Sequence, residues 1–274
     1  MGASGVDAVD SPLPPISIAV QRLDHDGQHN QRVVAEECPV ALVYDGTTAA
    51  VMMATPSNLD DLARGFSLTE GFIQNVAEIR DLEVVPGLDG IELRIWLTRN
   101  SGRRFKARQR RMTGSTGCGL CGIESLSEAV RTCARLTRRI SLASNHIGQA
   151  VDALTSAQSL NRITRATHAA GFYLPEEGLV IAREDVGRHN ALDKLAGALA
   201  HERIAGAAGA IILTSRISVE MVQKAAVIGS SLLVAISAPT GLAIRTAEAC
   251  GITLIGIARG STFEIFSHPD AIRN

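Results

Sequence analysis

Two thiols three residues apart, Cys118 and Cys121, stand inside the glycine-rich stretch Ser115-Thr116-Gly117-Cys118-Gly119-Leu120-Cys121-Gly122. The glycines at 117, 119 and 122 favour a turn over a compact helix, because each admits backbone angles that a Cβ forbids. Directly afterwards Ile123, Leu126, Ala129 and Val130 recur at helical spacing, which predicts a helix from Glu124 to about Leu136. A thiol at such a junction meets unpaired backbone N–H groups and the positive end of the helix dipole. Both favour the thiolate, drawing a cysteine from about 8.5 toward roughly 3.5–7.5. Cys118 and Cys121 are therefore the catalytic candidates, as an exposed and reactive pair.

Other uses of a CxxC compete with this one. A structural zinc site needs about four ligands at short spacings, and Cys38, Cys133 and Cys250 are isolated from one another in the sequence. No metal site is expected. A structural Cys118–Cys121 disulfide suits an oxidising compartment, whereas this chain reads as intracellular. A thioredoxin-type dithiol expects its CxxC soon after a first strand. Here the pair lies in mid-chain, so a dithiol oxidoreductase is the rival reading.

A second cluster, Arg183-Glu184-Asp185-Val186-Gly187-Arg188-His189-Asn190, sits between an expected strand, Leu179–Ala182, and an expected helix, Ala191–Leu199. Asp185 has the chemistry of a helix cap, and Glu184 and Arg188 could form an ordinary ion pair. Charge, imidazole and glycine at a strand-to-helix turn also suit a general acid or a ligand clamp. Asp185, Arg188 and His189 are accordingly candidates, with both readings open.

The elements that must position these groups are clearest near the C-terminus. Ala210–Leu213, Leu232–Ile236 and Ile252–Ile257 are short, continuous apolar runs separated by helical patterns over Val219–Ile228 and Leu242–Cys250. Such alternation predicts a parallel sheet covered on both faces, which binds ligands beyond the carboxyl ends of its strands. The loops there are Thr214-Ser215-Arg216-Ile217-Ser218, Ser237-Ala238-Pro239-Thr240-Gly241 and Ala258-Arg259-Gly260-Ser261-Thr262. They are small and hydrogen-bonding, two carry an arginine, and the first two open helices whose N-termini attract anions. A phosphate-bearing ligand fits them, with Ser215 and Arg216 as candidates; simple N-caps are the plainer reading.

Upstream, Ile16–Val20 reads as a strand, and Pro39–Tyr44 with Ala49–Met53 as a hairpin turning at Asp45-Gly46. Leu59–Ile73 has helical spacing behind the cap candidates Ser57 and Asn58, and Glu83–Val85 with Ile91–Leu97 suggests a second hairpin. Arg103–Arg111 places Arg104, Lys106, Arg108 and Arg110 on one face at strand spacing. This is either a charged edge strand or a docking stripe for an anionic ligand or acidic partner. Gly148–Leu160 is a further expected helix. Three regions result: a tail over 1–15, an N-terminal α+β domain over 16–122, and an α/β domain over 123–274.

Composition narrows the class. The chain has 274 residues, 46% hydrophobic and only 3% aromatic, so aliphatic packing must build a sizeable core. Lys+Arg 27 against Asp+Glu 28 gives a net charge of -1, which argues against nucleic acid or a membrane surface as partner. There is no signal-peptide pattern at the start and no apolar run approaching the ~20 residues of a membrane span. A cytoplasmic protein is expected.

Together the segments resemble the formate dehydrogenase accessory sulfurtransferase family (FdhD/NarQ-type). The carrying residues are Pro39–Gly46, Gly65–Gly71, Gly117–Gly122, Glu184–Lys194, Ser215-Arg216, Glu220–Lys224, Ser237–Thr240 and Ser267–Pro269. The resemblance implies a sulfurtransferase that accepts persulfide sulfur from a cysteine desulfurase. That sulfur passes to the molybdenum of a bis-guanine-dinucleotide molybdenum cofactor destined for formate dehydrogenase. Cys118 corresponds to the persulfide carrier and Cys121 to its partner. Ile257, Ala258, Arg259, Gly260, Ser261 and Thr262 correspond to the cofactor-contacting segment. The resemblance also implies a cytidine-deaminase-like, three-layer C-terminal domain with a mainly parallel sheet, and a homodimer. A non-catalytic cofactor-binding or assembly module is a further alternative. Deaminase chemistry is disfavoured, because the His-x-Glu and Pro-Cys-x-x-Cys zinc signature is missing. One departure stands out: Arg165 and Ala166 occupy places where the family tends to have glycines before Thr167-His168.

Overall fold

The computed structural model describes residues 12–109, 133–137 and 140–273. A hairpin of β1 (Ser17–Leu23) and β2 (His29–Ala35) forms its own two-stranded sheet. Next come β3 (Cys38–Tyr44), β4 (Thr47–Ala54), helix α1 (Leu59–Thr69), β5 (Ile79–Gly87), β6 (Gly90–Leu97) and helix α2 (Arg99–Gln109). These strands make a four-stranded sheet in the order β4-β3-β6-β5. The expected Asp45-Gly46 turn joins β3 to β4, with φ of 47° and 80°, the two left-handed positions that suit a tight hairpin.

Period two in β3 and β6 turns Val40, Leu42, Tyr44 and Ile91, Leu93, Ile95, Leu97 inward, where they meet Leu59, Leu62 and Phe66 of α1. Helix α1 ends four residues before the expected Ile73, because Gly71 takes φ 73° and redirects Phe72 and Ile73 into this core. The basic stretch from Arg103 is a helix and not a strand. Ser101 and Phe105, four apart, turn inward together, and Phe105 stacks on Tyr44 with ring centroids 4.8 Å apart. On this helix Arg104 and Lys106 no longer share a face, and Arg104 is committed to Glu78 at 3.1 Å; Arg110 and Arg111 lie outside the described residues.

The described chain resumes at Cys133. Its stretch 133–137 is not helical, and the remainder of the expected 124–136 helix lies outside the described residues. Then follow β7 (Leu142–Ala143), helices α3 (Ser144–Ala157) and α4 (Ser159–Thr164), β8 (His168–Leu174), β9 (Gly178–Asp185) and α5 (Arg188–His201). After them come β10 (Ala210–Leu213), α6 (Val219–Ile228), β11 (Leu232–Ala235), α7 (Gly241–Cys250), β12 (Thr253–Arg259), β13 (Thr262–Ser267) and β14 (Ile272–Arg273). The main sheet runs β13-β12-β11-β10-β8-β9, with β10, β11 and β12 parallel as their apolar runs predict. Strands β8, β9 and β13 add three antiparallel pairings to the two parallel ones, so the sheet is mixed and not mainly parallel as the apolar runs and the family resemblance led one to expect.

Alternation divides this sheet between two cores. Ile211, Leu213, Leu233, Ala235 and Leu254 face α5, α6 and α7. Ala210, Ile212, Leu232, Val234 and Ile255 face α3. The result is three layers, helix on sheet on helix. Helix α1 then lies across α5, joining the four-stranded sheet to the α/β body. Cys133 and Cys250 form a disulfide across 117 residues of sequence, tying the resumed chain to the end of α7. Cysteines isolated in the sequence are thus paired in the fold. Cys38 is buried, and burial pushes its thiol above the ordinary value.

Candidate functional site

The carboxyl edge of β10, β11 and β12 is where the unusual side chains gather. Its loops brace one another: the Ile217 amide donates to the Ala238 carbonyl at 3.3 Å, Thr240 to Ile217 at 3.0 Å, and Ile257 to Ser237 at 3.2 Å. Thr240 is an N-cap, its hydroxyl accepting from the Ala243 amide at 3.3 Å. Ser218 is not; its hydroxyl donates to a carboxylate oxygen of Glu220 at 2.9 Å.

The loop Ile257–Thr262 is the tip of the β12–β13 hairpin. Ile257, 37% exposed, takes φ 53° at a register shift in the ladder, and Arg259, Gly260, Ser261 and Thr262 are exposed while Ala258 is buried. Two glycines seat this loop. A Cβ on Gly256 would lie 2.9 Å from the Pro239 ring, and one on Gly148, in α3, would run into the Gly260 carbonyl. Arg216 is exposed on the neighbouring loop, whereas Ser215 is buried and its hydroxyl donates to the Arg216 carbonyl at 3.0 Å.

The turn between β9 and α5 brings Arg188 and His189 to the same edge. His189 and Glu220 are 2.9 Å apart, and this hydrogen bond is the main reason the Glu220 carboxyl lies below its ordinary range. His168 opens β8 opposite Asp185. Burial, and then the nearby Arg188 charge, hold its imidazole below the ordinary value, with a smaller push in the same direction from His189 and an opposing pull from Asp185. The Arg188 Nε is enclosed without a hydrogen-bond partner. Arg188 is the fixed positive charge of the cluster, and Glu220 is its counter-charge.

Asp185 plays a different part from the one its residue type suggests. It is 0% exposed, and its oxygens accept from the Gly187 amide (2.7 Å), Asn190 Nδ2 (3.0 Å) and the Thr55 amide (3.1 Å) while pairing with Lys194 Nζ at 2.6 Å. It has no surface to offer a ligand, and it shapes the turn that presents Arg188 and His189. Glu184 caps α4, accepting from the Leu160 and Asn161 amides at 2.8 and 2.7 Å. An ion pair with Arg188 is therefore not its role. Residue type alone cannot distinguish such buried acceptors from exposed ones, and nothing in the sequence singled out Glu220 or Ser218 as neighbours of His189.

Cys118 and Cys121 lie outside the described residues. Among the described residues no group of three or more His, Cys, Asp or Glu is arranged to hold a metal ion, and no helix is long and apolar enough to cross a membrane.

A three-layered α/β body with arginine- and hydroxyl-bearing loops along one strand edge defines the class, an α/β protein whose polar loops gather at the carboxyl ends of its parallel strands. The chain belongs to the FdhD/NarQ family, whose profile matches residues 35–273. It is 54% identical over 243 residues to the sulfur carrier protein FdhD of Agrobacterium fabrum, spanning 88% of this chain and 90% of that one. It is 50% identical over 242 residues to the sulfur carrier protein FdhD of Brucella melitensis, with the same coverage of 88% and 90%. A crystal structure of a candidate formate dehydrogenase accessory protein from Desulfotalea psychrophila shares the fold, with a TM-score of 0.75 over 94% of this chain and 100% of that one at 24% identity.

Proposed function

We propose that this protein is a sulfur carrier for the maturation of formate dehydrogenase, with Cys118 as the persulfide-bearing cysteine and Cys121 as its partner. The observation that carries the reading is the sulfur-carrier name of a relative 54% identical over 243 residues, in a family match that spans both thiols of the Gly-Cys-x-x-Cys-Gly motif. The Cys118 thiolate attacks the terminal sulfur of a cysteine desulfurase persulfide. A new S–S bond forms on Cys118 as the desulfurase S–S bond breaks and its cysteine leaves as thiolate. On delivery the Cys118 S–S bond breaks, Cys118 leaves as thiolate, and the terminal sulfur binds molybdenum, which supplies the electron pair.

The cargo in this reading is the bis-guanine-dinucleotide molybdenum cofactor. The exposed part of Ile257–Thr262, with Arg216, Arg188 and His189, suits its pyrophosphates, because cationic and hydroxyl donors at a strand edge favour anions. The same reading makes the protein a cytoplasmic homodimer whose N-terminal domain ends at the thiol loop, near residue 122, and whose C-terminal layers are cytidine-deaminase-like. The test is intact-mass analysis after incubation with a cysteine desulfurase and free cysteine. A reductant-labile gain of sulfur on the wild type, lost in Cys118→Ala, is the expected result. No gain, with Cys118 and Cys121 recovered as a disulfide, would move the dithiol oxidoreductase ahead.

A further inference from the structure

Thr55 lies one residue past the end of β4, in the connection to α1, where the ladder with β3 has stopped at the Cys38–Ala54 pair. It is 0% exposed, and every polar group it owns is engaged with the turn that follows β9. Its amide donates to Asp185 Oδ2 at 3.1 Å, its hydroxyl accepts from the Val186 amide at 3.1 Å, and its carbonyl accepts from Lys194 Nζ at 2.9 Å. The same carbonyl also accepts from the Ser57 amide at 2.8 Å, which fixes its own direction. Two residues earlier, the Met53 carbonyl accepts from Asn190 Nδ2 at 2.9 Å. A segment of the N-terminal sheet thus grips residues 185–194 at four points, and Arg188 and His189 lie between them.

We propose that Thr55 is a positioning residue for Arg188 and His189: it sets the backbone from which both side chains reach the strand edge. This deepens the proposed function and rests on it for the identity of the ligand, but the positioning itself rests on the hydrogen bonds alone. A hydroxyl bonded to the half-buried Val186 amide fixes direction as well as distance, because without it that amide must turn toward another acceptor. Asp185 and Lys194 cannot supply this grip by themselves. Their mutual bond joins the end of β9 to α5, and Thr55 is what anchors that pair to a separate sheet.

The experiment compares wild type, Thr55→Val and Thr55→Ser, each first shown to unfold cooperatively. Valine keeps the branched shape and removes the hydroxyl, while serine restores it. Two readouts are taken: the titration of the His189 imidazole by NMR, with exposed His201 as the internal control, and the binding of guanosine diphosphate by calorimetry. In Thr55→Val the His189 titration moves while His201 stays, guanosine diphosphate binds about fivefold more weakly, as loss of one hydrogen bond predicts, and Thr55→Ser recovers both. Sulfur loading of Cys118 stays at the wild-type level. An unmoved His189 in a folded Thr55→Val overturns the positioning. A shifted His189 in a protein whose wild type binds no guanosine diphosphate upholds the positioning and removes the ligand assignment. If Thr55→Val does not fold, Thr55→Ala, which also removes the hydroxyl, is read against Thr55→Ser with the same readouts.

Discussion

Gly65 of α1 and Gly197 of α5 are the points at which two helices meet backbone to backbone. A Cβ on Gly65 would collide with the Asp193 carbonyl, and one on Gly197 with the Asp61 carbonyl. No side chain intervenes, so neither helix has a flexible group that could yield. Gly65→Ala or Gly197→Ala is expected to destabilise the fold by about 3 kcal/mol, the upper end of the cost of overpacking, although each also removes a helix-interior glycine. Urea unfolding measures it, and a loss below about 0.5 kcal/mol would show that the helices can part cheaply.

Beside that contact lies an ion pair at the same junction. Lys224 Nζ donates to both oxygens of Asp193 at 2.7 and 2.9 Å, and the Thr69 hydroxyl donates to the first of them at 2.6 Å. Burial pushes the Asp193 carboxyl above its ordinary value, against the pull of Lys224. Lys224→Met strands that carboxylate and is expected to cost about 3–5 kcal/mol, whereas Lys224→Met with Asp193→Leu recovers most of it. A double variant as unstable as the single one would show that the pair matters as packing and not as charge.

How much of this was legible in advance follows from what each signal measures. Continuous apolar runs found β10, β11 and β12, because a parallel sheet covered on both faces buries every residue of β10 and β11 and the first four of β12. Asp45-Gly46 found its hairpin because few residues tolerate the left-handed region twice in succession. Strand β8 escaped, since His168-Ala169-Ala170-Gly171 offers small residues with little β preference, and its place is set by pairing with β9 and β10. Helix α2 was misread because alternating arginines imitate a strand while the true signal is one four-residue step, Ser101 to Phe105. At the site, the loops and the charged turn were visible as residue types. The direction in which Asp185 and Glu184 point was not, because burial is decided by distant residues such as Thr55 and Leu160.

Arg165 tests the one departure from the family pattern. It closes α4 with φ 61° and ψ 27°, the left-handed conformation that glycine adopts without a Cβ penalty. Its amide bonds the Asn161 carbonyl at 2.8 Å, so the cap itself is intact. Arg165→Gly is expected to stabilise the protein by about 0.5–1 kcal/mol, the relief of αL strain exceeding the added freedom of the unfolded chain. A fall in melting temperature would mean that the arginine side chain contributes more than its backbone costs.

His168 gives the strand edge a pH signature. Its folded-state value is depressed by burial, then by Arg188, so the unfolded chain takes up a proton before the native one does. Stability therefore falls as pH drops from the ordinary imidazole value of about 6.5 toward the lower folded value, and levels off below it. Glu220, whose carboxyl is depressed, acts in a separate window: its contribution is present above the ordinary carboxylate value and is lost as pH falls through the lower folded one. His168→Gln should flatten the slope below the ordinary imidazole value of about 6.5, by roughly the share of one histidine in the linkage. Urea midpoints across that range measure it, and identical slopes in variant and wild type would place the depression elsewhere.

The Cys133–Cys250 bond joins residues 117 apart and ties the start of the 133–137 stretch to the last residue of α7. A second link lies beside it, the Leu136 amide donating to the Cys250 carbonyl at 2.8 Å. Closing a loop of this length removes conformational freedom from the unfolded chain, and typical bridges contribute about 2–4 kcal/mol. Cys133→Ser is therefore expected to lower the unfolding free energy by that amount in protein purified without reductant, and reductant should lower the wild type to the level of the variant. The bond also sets how the sulfur-loading experiment is read, since a reductant that strips a persulfide from Cys118 adds two hydrogens here as well. Alkylation after denaturation without reductant should spare Cys133 and Cys250 and label Cys38. Full labelling of both, with no response of the melting temperature to reductant, would show that the two thiols stand free and that the hydrogen bond from Leu136 alone holds this junction.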